Sequence, residues 1–238
     1  RPMASKAALA EFIGTALFQF LGGAAVANVA SAKDMGLPTA ALGNGLALAV
    51  CIYLTVEWSG GHLNPAVTLC QYLRGKLPES HYQLVGFIVA QLLGAIIGSW
   101  LLWLLLPQPL IIKHVFTTGG ADELTVRQLG AWEFTATFVL LLTVCAVCEG
   151  DDFASTGPLA IGLAVSAGVF AMGPFTGAAL NPARTLGPAI TFGVWEDVPY
   201  FLAAQLVAAV VVAFFFEKVI VAKWGEDDSV KLKSSQYV

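Results

Sequence analysis

Long apolar runs separated by short polar connections make up most of the chain. Six of these runs approach the length of about 20 residues that a helix needs to cross the hydrocarbon of a bilayer. They lie at 7–30, 38–58, 82–106, 126–148, 157–174 and 198–222, and the fifth is the shortest. Two further runs, at 64–74 and 181–191, have helical character but are too short to span. The pattern predicts an all-α membrane protein with six transmembrane helices and two shorter helices.

The composition favours the same environment. Hydrophobic residues make up 57% of the chain and charged residues 12%, whereas soluble domains contain about 45–50% apolar and about 25% charged residues. A net charge of −4 argues against nucleic acid as a partner. The cysteines lie in apolar runs without a histidine cluster, so we predict no metal site and no cofactor. They are Cys51, Cys70, Cys145 and Cys148.

Lysine and arginine are distributed unequally between the two sides of this topology. With the N-terminus in the cytoplasm, eight of them face inward and three outward, as the positive-inside rule requires. Six crossings also return the C-terminus to the cytoplasm. We therefore expect both termini there, in a membrane that the sequence does not identify. The inward set is Arg1, Lys6, Arg74, Lys76, Lys218, Lys223, Lys231 and Lys233, and the outward set is Lys33, Lys113 and Arg127.

The two halves of the chain repeat one another at three places in the same order. Leu-Asn-Pro-Ala occurs at 63–66 and again at 180–183, Glu-Phe at 11–12 and 133–134, and Ala-Gln-Leu at 90–92 and 204–206. Each half holds three crossings, so the second half runs inverted relative to the first. We predict one transmembrane domain over 1–238, with repeats at about 7–106 and 126–222 and a polar tail at 224–238.

The paired Asn-Pro-Ala segments predict two helices that begin inside the membrane. Asn64 and Asn181 are suited to capping a helix N-terminus, and the proline that follows each of them fits the first helical position. Because the halves are inverted, the two N-termini meet near the bilayer centre. Extended backbone is tolerated there only where protein buries it or where it lines a wet cavity. The loop carbonyls expected to line a pore are those of Gly60, Gly61, His62, Leu63, Gly177, Ala178, Ala179 and Leu180.

These segments resemble the two signature boxes of the aquaporin, or major intrinsic protein, family. The resemblance extends over nearly the whole chain, including residues 10–12 and Gly-Pro-Leu-Ala-Ile-Gly at 157–162. It implies six tilted helices, two re-entrant half-helices, one pore per subunit and a homotetramer. Two half-helix N-termini that meet carry about half a positive charge each, which opposes proton and cation passage. Asn64 and Asn181 are then expected to donate N–H groups to a water between them.

The same resemblance places a selectivity filter at Asn44, Val169, Ala178 and Arg184. Arg184 matches the arginine of the family and lies at membrane depth, where a charged residue indicates function. A strict water channel has an aromatic ring at the position of Asn44 and histidine at that of Val169, and a glycerol-type channel has aspartate at that of Thr185. The chain fits neither subgroup, so the permeant stays open between water alone and small neutral solutes such as ammonia, urea or hydrogen peroxide.

Buried polar residues of the spanning segments complete the prediction. We expect Glu11 and Glu133, assisted by Gln91 and Gln205, to accept or share hydrogen bonds with the re-entrant loops. Proton coupling, as in a transporter, is the alternative role for the two glutamates. A structural membrane protein with a closed pore is a distant alternative for the function of the whole chain. We also expect Gly86, Gly94 and Gly98 to mark close helix packing. No catalytic constellation is visible, so an enzyme is rejected.

Overall fold

The apolar runs form helices at every predicted position. The computed structural model describes residues 2–29, 36–77, 80–107, 123–149 and 153–221. Within them lie α1 (Pro2–Val29), α2 (Gly36–Ser59), α3 (Pro65–Leu73), α4 (Ser80–Leu105), α5 (Val126–Cys148), α6 (Phe153–Thr176), α7 (Pro182–Phe192) and α8 (Val198–Phe215), the last continued by a π-helical turn at Phe216–Val221. Six of these helices are long and apolar enough to cross a membrane, and the described residues contain no strand.

The fifth long helix, α6, is longer than the sequence predicts. It covers 24 residues because it begins four residues before and ends two residues after the predicted run at 157–174. It contains two prolines, Pro158 and Pro174, and each lies within two turns of a helix end. The hydrogen bond that a proline cannot make therefore leaves a carbonyl near the end of the helix rather than in its middle.

The short helices α3 and α7 both begin at an asparagine and a proline. Asn64 and Asn181 have nearly the same extended backbone, with φ of −158° and −155°, and each side chain caps its own helix. Most of the contacts of α3 are with helices of the second repeat, above all α8, and most of those of α7 are with α4 of the first. Each half-helix is therefore held by the opposite half of the chain.

Glycines allow two helix pairs to approach closely. A Cβ atom on Gly45 of α2 would collide with the backbone of Gly162 in α6, and one on Gly162 would collide with Gly45. Gly94 and Gly98 of α4 lie in the same way against the carbonyl oxygens of Phe12 and Ala16 in α1. The expectation for Gly86 is wrong, because no atom lies within 4 Å of a Cβ built there.

Some predictions fall outside the described residues. They concern the loop that follows Pro107, the tail at 224–238, and part of the charge distribution used for orientation. The basic residues in question are Arg1, Lys33, Lys113, Lys223, Lys231 and Lys233.

Candidate functional site

The two capping asparagines lie where the half-helices meet, and each bonds to both halves of the chain. The Oδ1 atom of Asn64 accepts from the backbone N–H of Ala66 at 2.8 Å, and that of Asn181 from Ala183 at 2.9 Å. Their Nδ2 atoms donate across the repeat, Asn64 to the carbonyl of Leu180 at 2.9 Å and Asn181 to that of Leu63 at 2.8 Å. One N–H of each amide is thus used inside the protein, which leaves one for a molecule in the cavity.

The loops before the asparagines adopt left-handed backbone that most side chains avoid. Gly60 and Gly61 have φ of 85° and 64°, and Leu63 has 49°. In the second loop Gly177, Ala178 and Leu180 have 75°, 51° and 54°. Left-handed residues with a Cβ atom each cost about 1 kcal/mol or more and persist only where their surroundings hold them.

Glu11 supplies that support for the first loop. Its carboxylate accepts from the backbone N–H groups of His62 at 2.9 Å and Leu63 at 2.7 Å. It also accepts from the hydroxyl of Ser59 and from Nε2 of Gln91, each at 2.6 Å. Four donors bind one fully buried carboxylate, so the hydrogen bonds of Glu11 serve to hold the loop in place.

Glu133 supports the second loop in the same manner. It accepts from the backbone of Ala179 at 3.0 Å and Leu180 at 3.2 Å, from the hydroxyl of Thr176 at 2.8 Å and from Nε2 of Gln205 at 3.0 Å. Glu133 is 0% exposed, whereas proton coupling needs a carboxylate that reaches water. The geometry therefore favours the structural alternative for both glutamates.

The sequence reasoning missed Ser59 and Thr176, although the signal was available. They are separated by 117 positions, the same distance that separates Asn64 from Asn181. Each is followed by a glycine that starts a re-entrant loop. Extending the alignment of the repeats five residues upstream of the asparagines identifies both hydroxyls.

A cavity of about 210 Å³ runs past the meeting point of the half-helices. Apolar side chains line one side of it, among them Leu48, Ile52, Leu140, Ile161 and Val165. Of the predicted pore residues, those that border it are Gly60, Gly61, His62, Asn64, Ala179, Leu180, Asn181 and Arg184. The structure does not bring Leu63, Gly177, Ala178, Asn44 or Val169 to its wall, and Val165, one turn before Val169, borders it instead.

Arg184 borders the cavity and is held by two side chains behind it. Its Nη2 donates to Oδ1 of Asn44 at 2.6 Å, and its guanidinium lies 4.9 Å from the ring centroid of Phe18. Nδ2 of Asn44 donates to the carbonyl of Ala40 at 2.8 Å, which turns the oxygen toward the arginine. Asn44 therefore positions the cation rather than simply leaving a wider opening.

Phe18 is a second residue that the sequence reasoning missed. It is 2% exposed, borders the cavity and stacks on Arg184. With Glu11 and Thr15 it follows an i, i+4, i+7 spacing, which marks one face of a helix, and all three are buried. That spacing from the predicted support residue Glu11 indicates that Phe18 faces inward.

His62 holds its loop as well as lining the cavity. Its ring Nδ1 lies 3.1 Å from the hydroxyl of Thr68, and the ring meets Phe87 edge-on at 5.5 Å. Thr68 also receives a hydrogen bond from Gln91 at 2.8 Å. These contacts favour loop support over pH sensing for this histidine.

A charged cluster lies at the end of the cavity on the side of Asn64. The fully buried side chain of Arg74 bonds to Glu149 at the end of α5 and to Glu217 after α8, and Lys76 lies 3.0 Å from Glu149. Partial burial opposes the ionisation of Glu149, but the hydrogen bonds from Lys76 and Arg74 outweigh it and lower its pKa. The cluster thus fixes the last turn of α3 between two helices of the other repeat.

Comparison with known proteins identifies the family. The model of the major intrinsic protein family matches residues 1–216. The chain belongs to the major intrinsic protein family. Among curated members, aquaporin TIP1-2 of Musa acuminata is 32% identical over 99% of this chain and 94% of its own length. Aquaporin-4 of Mus musculus is 34% identical over 90% of this chain and 67% of its own.

The fold of a solved member of this family agrees with that of the chain. The aquaglyceroporin of Plasmodium falciparum superposes with a TM-score of 0.78 at 27% identity, over 94% of this chain and 99% of that one. The predicted architecture of six long helices and two half-helices is therefore confirmed. This major intrinsic protein is an integral, multi-pass membrane channel and not an enzyme.

Proposed function

We propose that the channel is a passive water pore that excludes protons and ions. The observation that carries this proposal is the pair of asparagines, which border the cavity and bind across the repeat at the meeting point of two half-helix N-termini. Each asparagine keeps one N–H free, so a water between them is bound through its oxygen. A water held in this way is a poor link in a chain of proton transfers.

The electrostatics of the cavity support the exclusion of cations. Two helix N-termini contribute roughly half a positive charge each, and Arg184 adds a full charge on the same wall. The apolar side chains opposite offer no oxygen atoms to replace an ion's hydration shell. A neutral molecule the size of water enters the cavity at a small free-energy cost. A cation loses its hydration shell there and is repelled by the positive charge of Arg184 and of the helix N-termini.

Facilitated passage of small neutral solutes is the second candidate. It is favoured by the filter positions inferred from the family resemblance, where Asn44 stands in place of an aromatic ring and Val169 in place of histidine. Against it, Phe18 brings an aromatic ring to Arg184 from α1. These two opposing features together determine the permeability of the pore to solutes such as urea or ammonia relative to water.

Stopped-flow light scattering on proteoliposomes distinguishes the two candidates. A water pore gives fast shrinkage in an impermeant osmolyte, with an activation energy well below that of protein-free liposomes. A solute pathway adds reswelling in urea, and a pH-sensitive dye inside the vesicles reports any proton leak. Shrinkage no faster than in protein-free liposomes would reject the water pore, and a flux that requires a proton gradient would favour a transporter.

The assembly and orientation are also proposals. Family resemblance supports a homotetramer with one pore in each chain, and the distribution of lysine and arginine supports cytoplasmic termini. Large apolar side chains such as Leu105, Trp58 and Val139 are 64%, 60% and 46% exposed in a single chain. Lipid and neighbouring subunits would cover them.

A further inference from the structure

Two buried thiols touch one another between the first half-helix and a spanning helix. Cys70 of α3 and Cys145 of α5 are 1% and 0% exposed, and their sulfur atoms are 3.8 Å apart. Both are free cysteines. We refer to these two residues as the thiol pair. They are 75 positions apart in the chain, so a bond between them would tie together elements from opposite repeats.

The thiol pair lies directly behind the wall of the cavity. On α3, Val67 and Gln71 are three residues before and one after Cys70, and both border the cavity. On α5, Val144 and Cys148 are one residue before and three after Cys145, and they also border it. Any movement that brings the two sulfurs together is therefore transmitted to side chains that set the width of the passage.

We propose that the thiol pair is an oxidation site at which a peroxide forms a reversible disulfide and thereby reduces conduction. The proposal concerns the regulation of the same pore and rests on the function proposed above. The sulfur of one thiolate attacks a peroxide oxygen, the O–O bond breaks, and the leaving oxygen departs as water once protonated. The second thiolate then attacks the resulting sulfenic acid, which forms the S–S bond and releases a second water. Two thiols are oxidised and one hydrogen peroxide is reduced to two waters.

The geometry explains why the bond would affect the pore. A disulfide requires a separation of about 2.05 Å, so the sulfurs must approach by nearly half of their present 3.8 Å. The approach requires rotation of the two side chains, movement of α3 toward α5, or both, and each of these displaces atoms directly behind the cavity wall. The cytoplasm keeps most protein thiols reduced, and the disulfides that form there are typically transient and redox-sensing. A thiol pair that is in contact but unbonded suits such a transient bond.

The surroundings of the thiol pair favour its reaction over that of Cys51. Burial opposes formation of the reactive thiolate, and the positive charge of Arg74, four residues after Cys70, acts against that effect at both sulfurs and at Cys148. Glu149 and Glu217 balance part of that charge. Hydrogen peroxide is close to water in size and polarity, so a cavity that admits water brings it to the wall in front of the pair. Cys51 of α2 is buried in the same hydrophobic core as the pair, but within the described residues its sulfur has no second thiol in contact with it.

The test uses the full-length channel in proteoliposomes, treated with dilute hydrogen peroxide and then with dithiothreitol. Osmotic water permeability is measured before oxidation, after oxidation and after reduction, and peptide mass spectrometry identifies any cross-link. We expect a Cys70–Cys145 disulfide, a loss of permeability with it, and recovery of both on reduction. Cys70→Ser and Cys145→Ser should each abolish the response, read as the ratio of oxidised to reduced permeability within each variant.

Two further variants separate this proposal from its alternatives. Cys51→Ser is the matched control, since it removes a buried thiol of α2, a helix that carries neither member of the pair, and its response should be unchanged. The double variant Cys51→Ser/Cys148→Ser keeps only the thiol pair and should retain the full response, whereas loss of the response there would overturn the proposal in favour of Cys148. A cross-link without a fall in permeability, or no cross-link at all, would also overturn it. The permeability before oxidation tests the water pore independently of these outcomes.

Discussion

Asn44 is an example of a residue in this channel whose role is to hold another side chain in place. Its amide oxygen accepts from Arg184, and its amide nitrogen is anchored on its own helix at Ala40. The guanidinium of Arg184 is therefore oriented by a neutral amide, and its positive charge is not cancelled. A carboxylate at the same place would still accept from the arginine but would cancel that charge and could not donate to Ala40, so the charge and the contact can be tested separately.

Asn44→Asp and Asn44→Ala are expected to differ in kind. The aspartate neutralises Arg184 without changing the size of the side chain, so we expect a cation or proton leak with little change in water permeability. The alanine removes the partner but not the charge, so we expect no leak and a higher urea permeability relative to water, because the freed guanidinium vacates the opening. Ion flux in proteoliposomes and urea reswelling measure the two effects. Identical behaviour of the two variants would contradict this role of Asn44.

Glu133 tests the structural interpretation of the buried carboxylates. Glu133→Ala removes the acceptor of four hydrogen bonds, and buried donors left without partners cost about 1–3 kcal/mol each. We expect a loss of several kcal/mol even after local rearrangement, seen as a lower melting temperature in detergent. Glu57→Ala on the exposed face of α2 is the matched control, and it should melt close to the parent. Equal melting temperatures for the two variants would remove the support role.

Residues that obey the repeat could be predicted from the sequence, and residues that lie outside it could not. The repeat pairs Asn64 with Asn181 and Glu11 with Glu133. A polar residue that recurs in both halves is expected to bind the backbone of the re-entrant loop in the same way in each half.

Phe18 aligns with Leu140 in the second repeat, which also borders the cavity, but leucine gives no sign of an aromatic ring there, and the role of Phe18 depends on the path of the arginine side chain across the cavity. Arg74 was counted only as a charge on one side of the membrane, because its carboxylate partners come from distant parts of the chain.

Among the elements, α4 shows how helix packing selects between glycines on one helix. Gly98 and Gly94 face α1, where a Cβ atom has no room, while Gly86 faces open space. Sequence spacing alone does not separate them, because all three occur in the same apolar run. The side of the helix that each occupies becomes clear only once the crossing point with α1 is known.

Gly98→Ala and Gly86→Ala form a matched pair for this contact. The methyl group at Gly98 collides with the carbonyl of Ala16 and approaches Gln19, so α1 and α4 must separate, at a cost of about 1–3 kcal/mol. At Gly86 the methyl group meets nothing, and alanine gains about 0.5–1 kcal/mol from its better helix propensity. Thermal unfolding in detergent should show a lower melting temperature for Gly98→Ala than for the parent, and an equal or higher one for Gly86→Ala. A reversal of this order would show that the packing of α1 on α4 differs from that described.

At the scale of the whole molecule, the exchange of half-helices joins the two repeats into one pathway. α3 packs mostly on the second repeat and α7 on the first, and the asparagine amides bond across the boundary. The cavity from Lys76 to Arg184 is bordered by both repeats of a single chain. The inverted repeat predicted that the two half-helix N-termini meet, but the packing of each half-helix on the opposite repeat became known only from the contacts themselves.

For the homotetramer proposed above, a pathway built within one chain predicts that each subunit conducts independently. Val165→Trp places a large ring in the cavity, because Val165 is buried on α6 and borders the passage. When this variant is co-expressed with the parent and reconstituted, water permeability per chain should fall in direct proportion to the fraction of variant. Val139→Trp, at a position 46% exposed on α5, is the matched control and should leave permeability unchanged at every ratio. A steeper fall, in which one variant subunit silences its neighbours, would mean that water crosses between chains instead of through each one.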